Sequence, residues 1–264
     1  MREEPNMLKP SNNDGKLLTL VMPVYNEGDA VIPIVSTLFL TVKYPFKLIV
    51  VYDFQDDKTV STIEKLQQYF KDVYLVKNEY GRGVLNAIKT GFKNADTPYV
   101  GIWVSYHLDP FGILNEMVKK LEDGFDLVSA NRFTVDSRRA RGNILKKLLS
   151  FCGNIILRKV IGMPINDVTT SIKVYKKSLL DAIEIETVVN GGWAVSSEIA
   201  IKAAIEGYRL AEIPLEKKNI NLIHGLTNFR VLRQLPVYFQ WLFLGWKNRK
   251  VIKLHLINAK NENT

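Results

Sequence analysis

From Leu17 to Ala130, short apolar runs alternate with segments of helical periodicity. Leu17–Met22, Leu48–Tyr52, Val73–Val76, Tyr99–Val104 and Leu127–Ala130 are almost continuously apolar, the pattern of strands buried on both faces. Between them, Val60, Ile63, Gln67 and Phe70 share one helical face. Val84, Ala87, Ile88, Gly91 and Phe92 repeat that spacing, as do Ile113, Leu114, Met117, Val118 and Leu121. Strands alternating with helices predict βαβ units: an α/β fold with a mostly parallel sheet flanked by helices. Ligands of such sheets sit beyond the carboxyl ends of the strands. That rule singles out the loops Val24–Asp29, Asp53–Lys58, Asn78–Gly83 and Ser105–Pro110.

After Ala130 the pattern is less regular. Ile144–Ile161 and Val195–Glu206 read as helices, and Ser171–Tyr175 and Tyr208–Pro214 as strands. Val231–Trp246 is an amphipathic helical segment carrying Tyr238, Phe239, Trp241, Phe243 and Trp246 between basic flanks, Arg230 and Arg233 before it and Lys247 and Arg249 after it. It falls short of the ~18 uninterrupted apolar residues of a membrane span. It is suited to a membrane interface, to a partner subunit in a homo-oligomer, or to the core. The expected organisation is a flexible arm over 1–15, one domain over 16–228, and a membrane- or partner-contacting tail over 229–264.

The chain has 264 residues and a net charge of +9. A basic balance suggests an anionic partner: a phosphate ligand, a membrane surface or nucleic acid. Nucleic acid is disfavoured, because basic and aromatic residues are not interleaved along the strands; the cations cluster instead at Arg138–Lys147 and Lys247–Lys253. The single cysteine, Cys152, excludes an intrachain disulfide framework and points to a cytoplasmic setting.

The motifs lie at the strand exits. Pro23-Val24-Tyr25-Asn26-Glu27 offers a stiffened exit, a stacking ring and a carboxylate. The second strand ends in an acidic loop with Asp53 and Asp57, and Asp57 also reads as the N-cap of the next helix. Gly81 and Gly83 allow close backbone approach before a helix whose N-terminus favours an anion. No third glycine completes a dinucleotide fingerprint.

In this order the motifs resemble those of family-two glycosyltransferases with the GT-A, nucleotide-diphospho-sugar transferase-like fold. The likeness is to the dolichyl/polyprenyl-phosphate mannosyl- or glucosyltransferase-like branch and runs from about Leu17 to Trp246. The resemblance implies that Pro23, Tyr25 and Glu27 bind the nucleotide, that Asp53 and Asp57 hold base and ribose, and that Gly81 and Gly83 line the same site. It implies a diphosphate clamp at Arg132, in Ser129–Phe133, with Lys173 as a second cation; Ser150 and Asn154 match a serine and asparagine of the following helix. Asn166–Lys173 resembles D-x-T-S-G-F-R/K, in which Asp167 would position or deprotonate the acceptor; a loop-capping carboxylate is the alternative. Glu198 closes a segment starting at Gly191 that the family places near the acceptor. The implied reaction moves a sugar from a nucleotide-sugar to a polyprenyl phosphate or other glycan acceptor. It is a single, inverting displacement, at the inner face of a membrane, in cell-envelope glycan biosynthesis.

The chain departs from that pattern at the metal motif. Anchored on Asp109-Pro110, the two positions of the usual Asp-x-Asp are Trp103 and Ser105. Asp109, Asp53 and His107 remain as candidate ligands, so Mg2+ or Mn2+ would be held weakly. A later basic motif, Asn221–Phe229, has Leu222 and Asn228 where Arg and Lys are usual. Two readings stay open: an active enzyme using Arg132 and Lys173 in place of a tightly held metal, or a catalytically decayed binding protein on the same fold.

Overall fold

The computed structural model describes residues 15–108, 112–133, 144–187, 189–215 and 231–261. Among them, β1 (Leu18–Pro23), β2 (Phe46–Tyr52), β3 (Val73–Lys77), β4 (Tyr99–Ile102), β5 (Leu127–Asn131), β6 (Lys173–Lys176) and β7 (Leu210–Pro214) form one sheet. Its order is β3-β2-β1-β4-β6-β5-β7. The helices are α1 (Ile32–Thr41), α2 (Lys58–Leu66), α3 (Val84–Lys93), α4 (Ile113–Glu122), α5 (Ile144–Ile155), α6 (Lys177–Ala182), α7 (Val195–Ile205), α8 (Val231–Lys247) and α9 (Arg249–Asn261).

The alternation of a strand decides which face each side chain enters. Leu18, Leu20 and Met22 of β1, with Leu48 and Val50 of β2, pack on one face with Ile34, Leu38 and Met117. Val21, Ile49 and Val51 enter the opposite face, with Ile88, Phe92, Ile199 and Trp241. Burial on both faces explains why β1 and β2 read as continuous apolar runs. Gly91 lets α3 settle onto β1: a Cβ there would come within 2.1 Å of Val21 Cγ1.

Strands β1 to β4 run parallel, and β5 is parallel to β7. β6 is antiparallel to both its neighbours, β4 and β5. Its first residue, Lys173, therefore pairs with Ile102 near the carboxyl end of β4. This reversal brings the segment Asp167–Ile172, which precedes β6, to the same edge as the loops leaving the parallel strands.

Some elements differ from the sequence pattern. β4 stops at Ile102 rather than Val104, because only Trp103 N continues the pairing, to Val21 O at 2.9 Å, before the chain turns. The helix expected over Ile144–Ile161 is α-helical to Ile155 and then winds as a π-helical turn, Ile156–Ile161, ending at Gly162 with φ of 92°. α1, α6 and α9 were not expected. Val237 and Trp241 of α8 and Ile252 of α9 are buried in the core of the domain. Among the described residues, no helix is long and apolar enough to cross a membrane.

Candidate active site

Four loops meet at the carboxyl edge of β1, β2, β3 and β4. Asn26 adopts a left-handed conformation (φ 56°), which turns its amide toward Asp57 Oδ2 at 2.8 Å. The other oxygen, Oδ1, caps α2 by accepting from Thr59 N at 2.8 Å. Thr59 Oγ1 in turn accepts from Glu27 N at 2.9 Å. Asp57 is thus both the helix cap and the clasp that shapes the Tyr25–Glu27 loop. Asp53 accepts from Asn78 Nδ2 at 2.8 Å and from Gly83 N at 2.9 Å. It fixes the glycine turn, where Gly81 and Gly83 have φ of 87° and 119°. The exposed Tyr25 ring stands edge-on to Phe54 at 5.6 Å, and the Arg82 guanidinium lies 5.2 Å from the centre of the Phe54 ring. Together Tyr25, Phe54, Arg82 and the start of α3 form a surface suited to a flat base and an anion.

Glu27 accepts from Ser105 Oγ at 2.8 Å, joining the first and fourth loops. Burial raises its pKa, the Ser105 bond opposes this, and the charge of Asp57 adds to the rise. Ser105 thus occupies a metal-motif position as a hydroxyl tied to Glu27. Trp103, at the other, is fully buried and donates its Nε1–H to His107 O at 2.9 Å. His107 is buried, which pulls its pKa down to about 4. Asp109 lies outside the described residues, as do the basic cluster at Arg138 and the Asn221–Phe229 motif. Among the described residues, no three His, Cys, Asp or Glu side chains are grouped to hold a metal ion. Asp53 and Asp57 are committed to backbone and amide donors, and Glu27 is the carboxylate that the first loop shares with Ser105 of the fourth. That set does not fit a site built on two carboxylates.

The second half of the edge is built around Arg132, which leaves β5. Its Nε donates to Asp167 Oδ2 at 2.7 Å and its Nη2 to Asp167 Oδ1 at 2.9 Å, a two-pronged fork. Arg132 N and Thr170 N also donate to Asp167, at 3.0 and 3.1 Å. Burial pushes the Asp167 carboxyl up, but the Arg132 guanidinium outweighs it and the net shift is down. Asp167 is fully buried, whereas the Arg132 side chain keeps 40% of its surface. Arg132 Nη2 also donates to Thr169 Oγ1 at 2.8 Å, and that hydroxyl lies 2.8 Å from Ser150 Oγ. Asn154 locks the segment by donating to Thr169 Oγ1 and accepting from Val168 N, both at 2.8 Å.

Arg132, Thr169 and Ser150 form the polar end of a cavity of about 460 Å³. The rest of its lining is largely apolar and comes mainly from α5 and its π-helical extension, α7 and α8, including Leu149, Ile156, Ile201, Trp241 and Leu242. Tyr106 also lines it. Tyr106 follows Ser105 directly, and its hydroxyl, pushed up in pKa by burial, feels the charges of both Arg132 and Glu27. It stands between the nucleotide-like loops and the cavity.

Two charged candidates are placed away from any open space. Lys173 is fully buried, and its ammonium donates to Val168 O at 2.9 Å and to Thr170 O. Burial pulls its pKa down to about 7. It cannot meet a diphosphate in this arrangement; it holds the loop beneath Arg132. Glu198 is also fully buried. Its oxygens accept from Glu186 N, Thr187 N and Thr187 Oγ1 at 2.5, 2.9 and 2.5 Å, and Trp241 Nε1 donates to the same threonine hydroxyl at 3.1 Å. Lys202 Nζ lies 2.9 Å from Glu198 Oε1, so Glu198 ties the 186–187 segment to α7 and, through Thr187 Oγ1, to Trp241 of α8 rather than facing the cavity. Phe54, Tyr106, Thr169 and Tyr238 were not singled out for the site from sequence. Phe54 and Tyr106 adjoin motif residues, whereas nothing local in the sequence marks Tyr238 as a cavity wall.

Comparison with known proteins agrees with this geometry. The sequence model of the family described as "Glycosyl transferase family 2" matches residues 19–184. The chain is 27% identical to a dolichyl-phosphate hexose transferase of Haloferax volcanii over 203 residues, 75% of this chain and 81% of that one. It is 23% identical to an undecaprenyl-phosphate mannosyltransferase of Micrococcus luteus over 90 residues, 34% and 37% of the two chains. Among solved structures it is similar to glucosyl-3-phosphoglycerate synthase of Mycobacterium tuberculosis in complex with Mn2+, UDP and phosphoglyceric acid. That match has a TM-score of 0.62 and 16% identity, and covers 90% of this chain and 79% of that one. A mannosyltransferase of Pyrobaculum calidifontis in complex with GDP-Man and Mn2+ matches with a TM-score of 0.54 and 21% identity, over 75% and 54% of the two chains. These likenesses support the GT-A fold.

Proposed function

Because the chain belongs to glycosyl transferase family 2 and is a glycosyltransferase, we propose that it moves a sugar from a nucleotide-sugar to a polyprenyl phosphate. The observation that carries this reading is the cavity: one apolar chamber of about 460 Å³ ending in Arg132, Thr169 and Ser150. An isoprenoid phosphate has the same division, a hydrocarbon body and an anionic head. A guanidinium flanked by hydroxyls is a fitting partner for phosphate oxygens.

The state of Asp167 favours a phosphate over a hydroxyl acceptor. A sugar or glycerol hydroxyl must lose a proton as it attacks, and a positioned base assists it. Asp167 is already bonded to Arg132 N, Nε and Nη2 and to Thr170 N, and its pKa is held down by Arg132. It aims the guanidinium. A phosphate monoester, with a second pKa of about 6, is already ionised and needs no base. In the displacement, an acceptor phosphate oxygen bonds to the anomeric carbon as the bond from that carbon to the nucleoside diphosphate breaks, inverting the centre. Tyr25, Glu27, Asp53 and Asp57 shape the nucleotide side, and Gly81, Gly83, Arg82 and the start of α3 meet the diphosphate. Solved structures of similar proteins contain Mn2+ or Mg2+; here Glu27 and Ser105 would hold such an ion only weakly, and when bound it would neutralise diphosphate charge. A lipid acceptor supports a peripheral position at a membrane, at its inner face on this reading.

Titration calorimetry with farnesyl phosphate and farnesol tests the acceptor half. Farnesyl phosphate binds at least tenfold more tightly, and Arg132→Ala weakens it by roughly ten- to a hundredfold, the loss of one or more charge-assisted bonds. Equal affinity for alcohol and phosphate would overturn the reading.

A further inference from the structure

The exposed apolar residues of α5, its π-helical extension and α8 are gathered rather than scattered. On α8, Phe239, Phe243 and Trp246 recur at helical spacing and are 62%, 63% and 47% exposed. Phe243 and Trp246 stack at 5.9 Å, and the Arg249 guanidinium lies 4.6 Å from the centre of the Trp246 ring. On the other side Phe151, Ile155, Ile156 and Val160 are exposed as well. Ile156 and Phe239 are at once exposed and part of the cavity lining, so both rows border its mouth. A water-facing surface seldom gathers so many large apolar side chains around one opening without a partner.

The charge of the chain is concentrated in the same elements and in α9, which follows α8 directly. Residues 144–161 and 231–261 contain ten Lys or Arg and no Asp or Glu. The whole chain carries +9, so the remainder is close to neutral. Aromatic rings and cations on elements that carry no acidic residue match the headgroup region of an anionic leaflet; Glu184, Glu186 and Glu206, from neighbouring segments, border Phe243 and Lys247 on one side. A second copy of the chain would bring like charges against like, which opposes that pairing.

We propose that the outer faces of α5 and α8 dock on an anionic lipid bilayer, and that the cavity opens within this contact so that the acceptor enters sideways from the leaflet. Docking stands on exposure and charge alone; sideways entry rests on the reading of the cavity as an isoprenoid-phosphate site.

Co-sedimentation of the full chain with vesicles of phosphatidylcholine and phosphatidylglycerol in equal parts tests docking. The chain pellets with these vesicles, is released by salt, and pellets poorly with phosphatidylcholine alone. Lys247→Gln and Lys250→Gln each weaken binding about fivefold, at about 1 kcal/mol per charge. The combined Phe239→Ser, Phe243→Ser and Trp246→Ser variant, altered only at exposed positions, weakens it at least tenfold while keeping its circular dichroism spectrum. Failure of the unmodified chain to pellet, or equal pelleting by the triple variant, overturns docking. So does a dimer in analytical ultracentrifugation that the same substitutions dissociate. A nitroxide on Cys152, an exposed residue of the cavity lining, tests entry. On vesicle binding it gains contact with oxygen and loses contact with a water-soluble nickel complex; no change overturns sideways entry. A chain that docks but does not discriminate farnesyl phosphate from farnesol upholds the docking face and removes only the acceptor reading.

Discussion

Asp167→Asn separates a positioning role from a base. The carboxylate is fully buried and accepts from four nitrogen donors: Arg132 N, Nε and Nη2, and Thr170 N. Asparagine keeps the shape but turns one oxygen into an NH2 group. Whichever way it is placed, a donor then faces two donors, either Arg132 N and Nε or Arg132 Nη2 and Thr170 N. Removing one partner of a buried pair costs about 3–5 kcal/mol. Arg132 keeps 40% of its side-chain surface, so water offsets part of that loss. The expected destabilisation is about 2–3 kcal/mol at neutral pH, read by urea denaturation. The same substitution frees the guanidinium to turn, so KM for the lipid phosphate rises by more than kcat falls. The sign with pH follows from the direction of the shift. With its folded pKa depressed, Asp167 stabilises the fold above the unfolded carboxyl pKa, and that contribution is lost as pH falls through the folded value. The difference between native and variant chains therefore shrinks in acid. Unchanged stability would refute the packing argument. A kcat loss of about 10²–10⁴ at unchanged acceptor KM would make Asp167 a base.

Lys173→Met tests the buried ammonium: folded Lys173 releases its proton near pH 7, the unfolded chain near pH 10.4, so native stability gains with rising pH between those values and the variant's gains less. Thermal melts across that window check it, and parallel curves would contradict it. Ser105→Asp puts a second carboxylate beside Glu27, so nucleotide-sugar affinity becomes more responsive to Mn2+ in calorimetry. Strict Mn2+ dependence of the unmodified chain would contradict the weak-metal reading.

What was legible in the sequence followed from burial on both faces of a parallel sheet. β1 and β2 announce themselves as apolar runs, and the rule for ligand loops then places Glu27 with Ser105 and Asp53 with Gly83. Strand direction was not legible. The apolar pattern of β6 does not reveal that it runs backward, and that reversal is what carries Asp167 to Arg132. Lys173 reads as a second cation for the diphosphate until the sheet order puts β6 between β4 and β5, where its ammonium must find carbonyls. Glu198 reads as a site carboxylate, yet its partners are the backbone at 186 and 187 and the hydroxyl of Thr187. α1 is apolar almost all round, with a proline at its start, and offers no clear helical face. The cavity joins Tyr106 to α5 and α8 across more than 130 residues of chain, a contact that no local pattern encodes.

The most direct measurement is transfer itself. The purified chain is incubated with a panel of radiolabelled nucleotide-sugars and a polyprenyl phosphate, with EDTA or with Mn2+, and label is counted in the organic phase. The account predicts that one donor yields a lipid-linked sugar of inverted anomeric configuration, largely lost in Arg132→Ala. Nucleotide-sugar binding with no lipid-linked product, or label passed instead to a soluble hydroxyl acceptor, would contradict it.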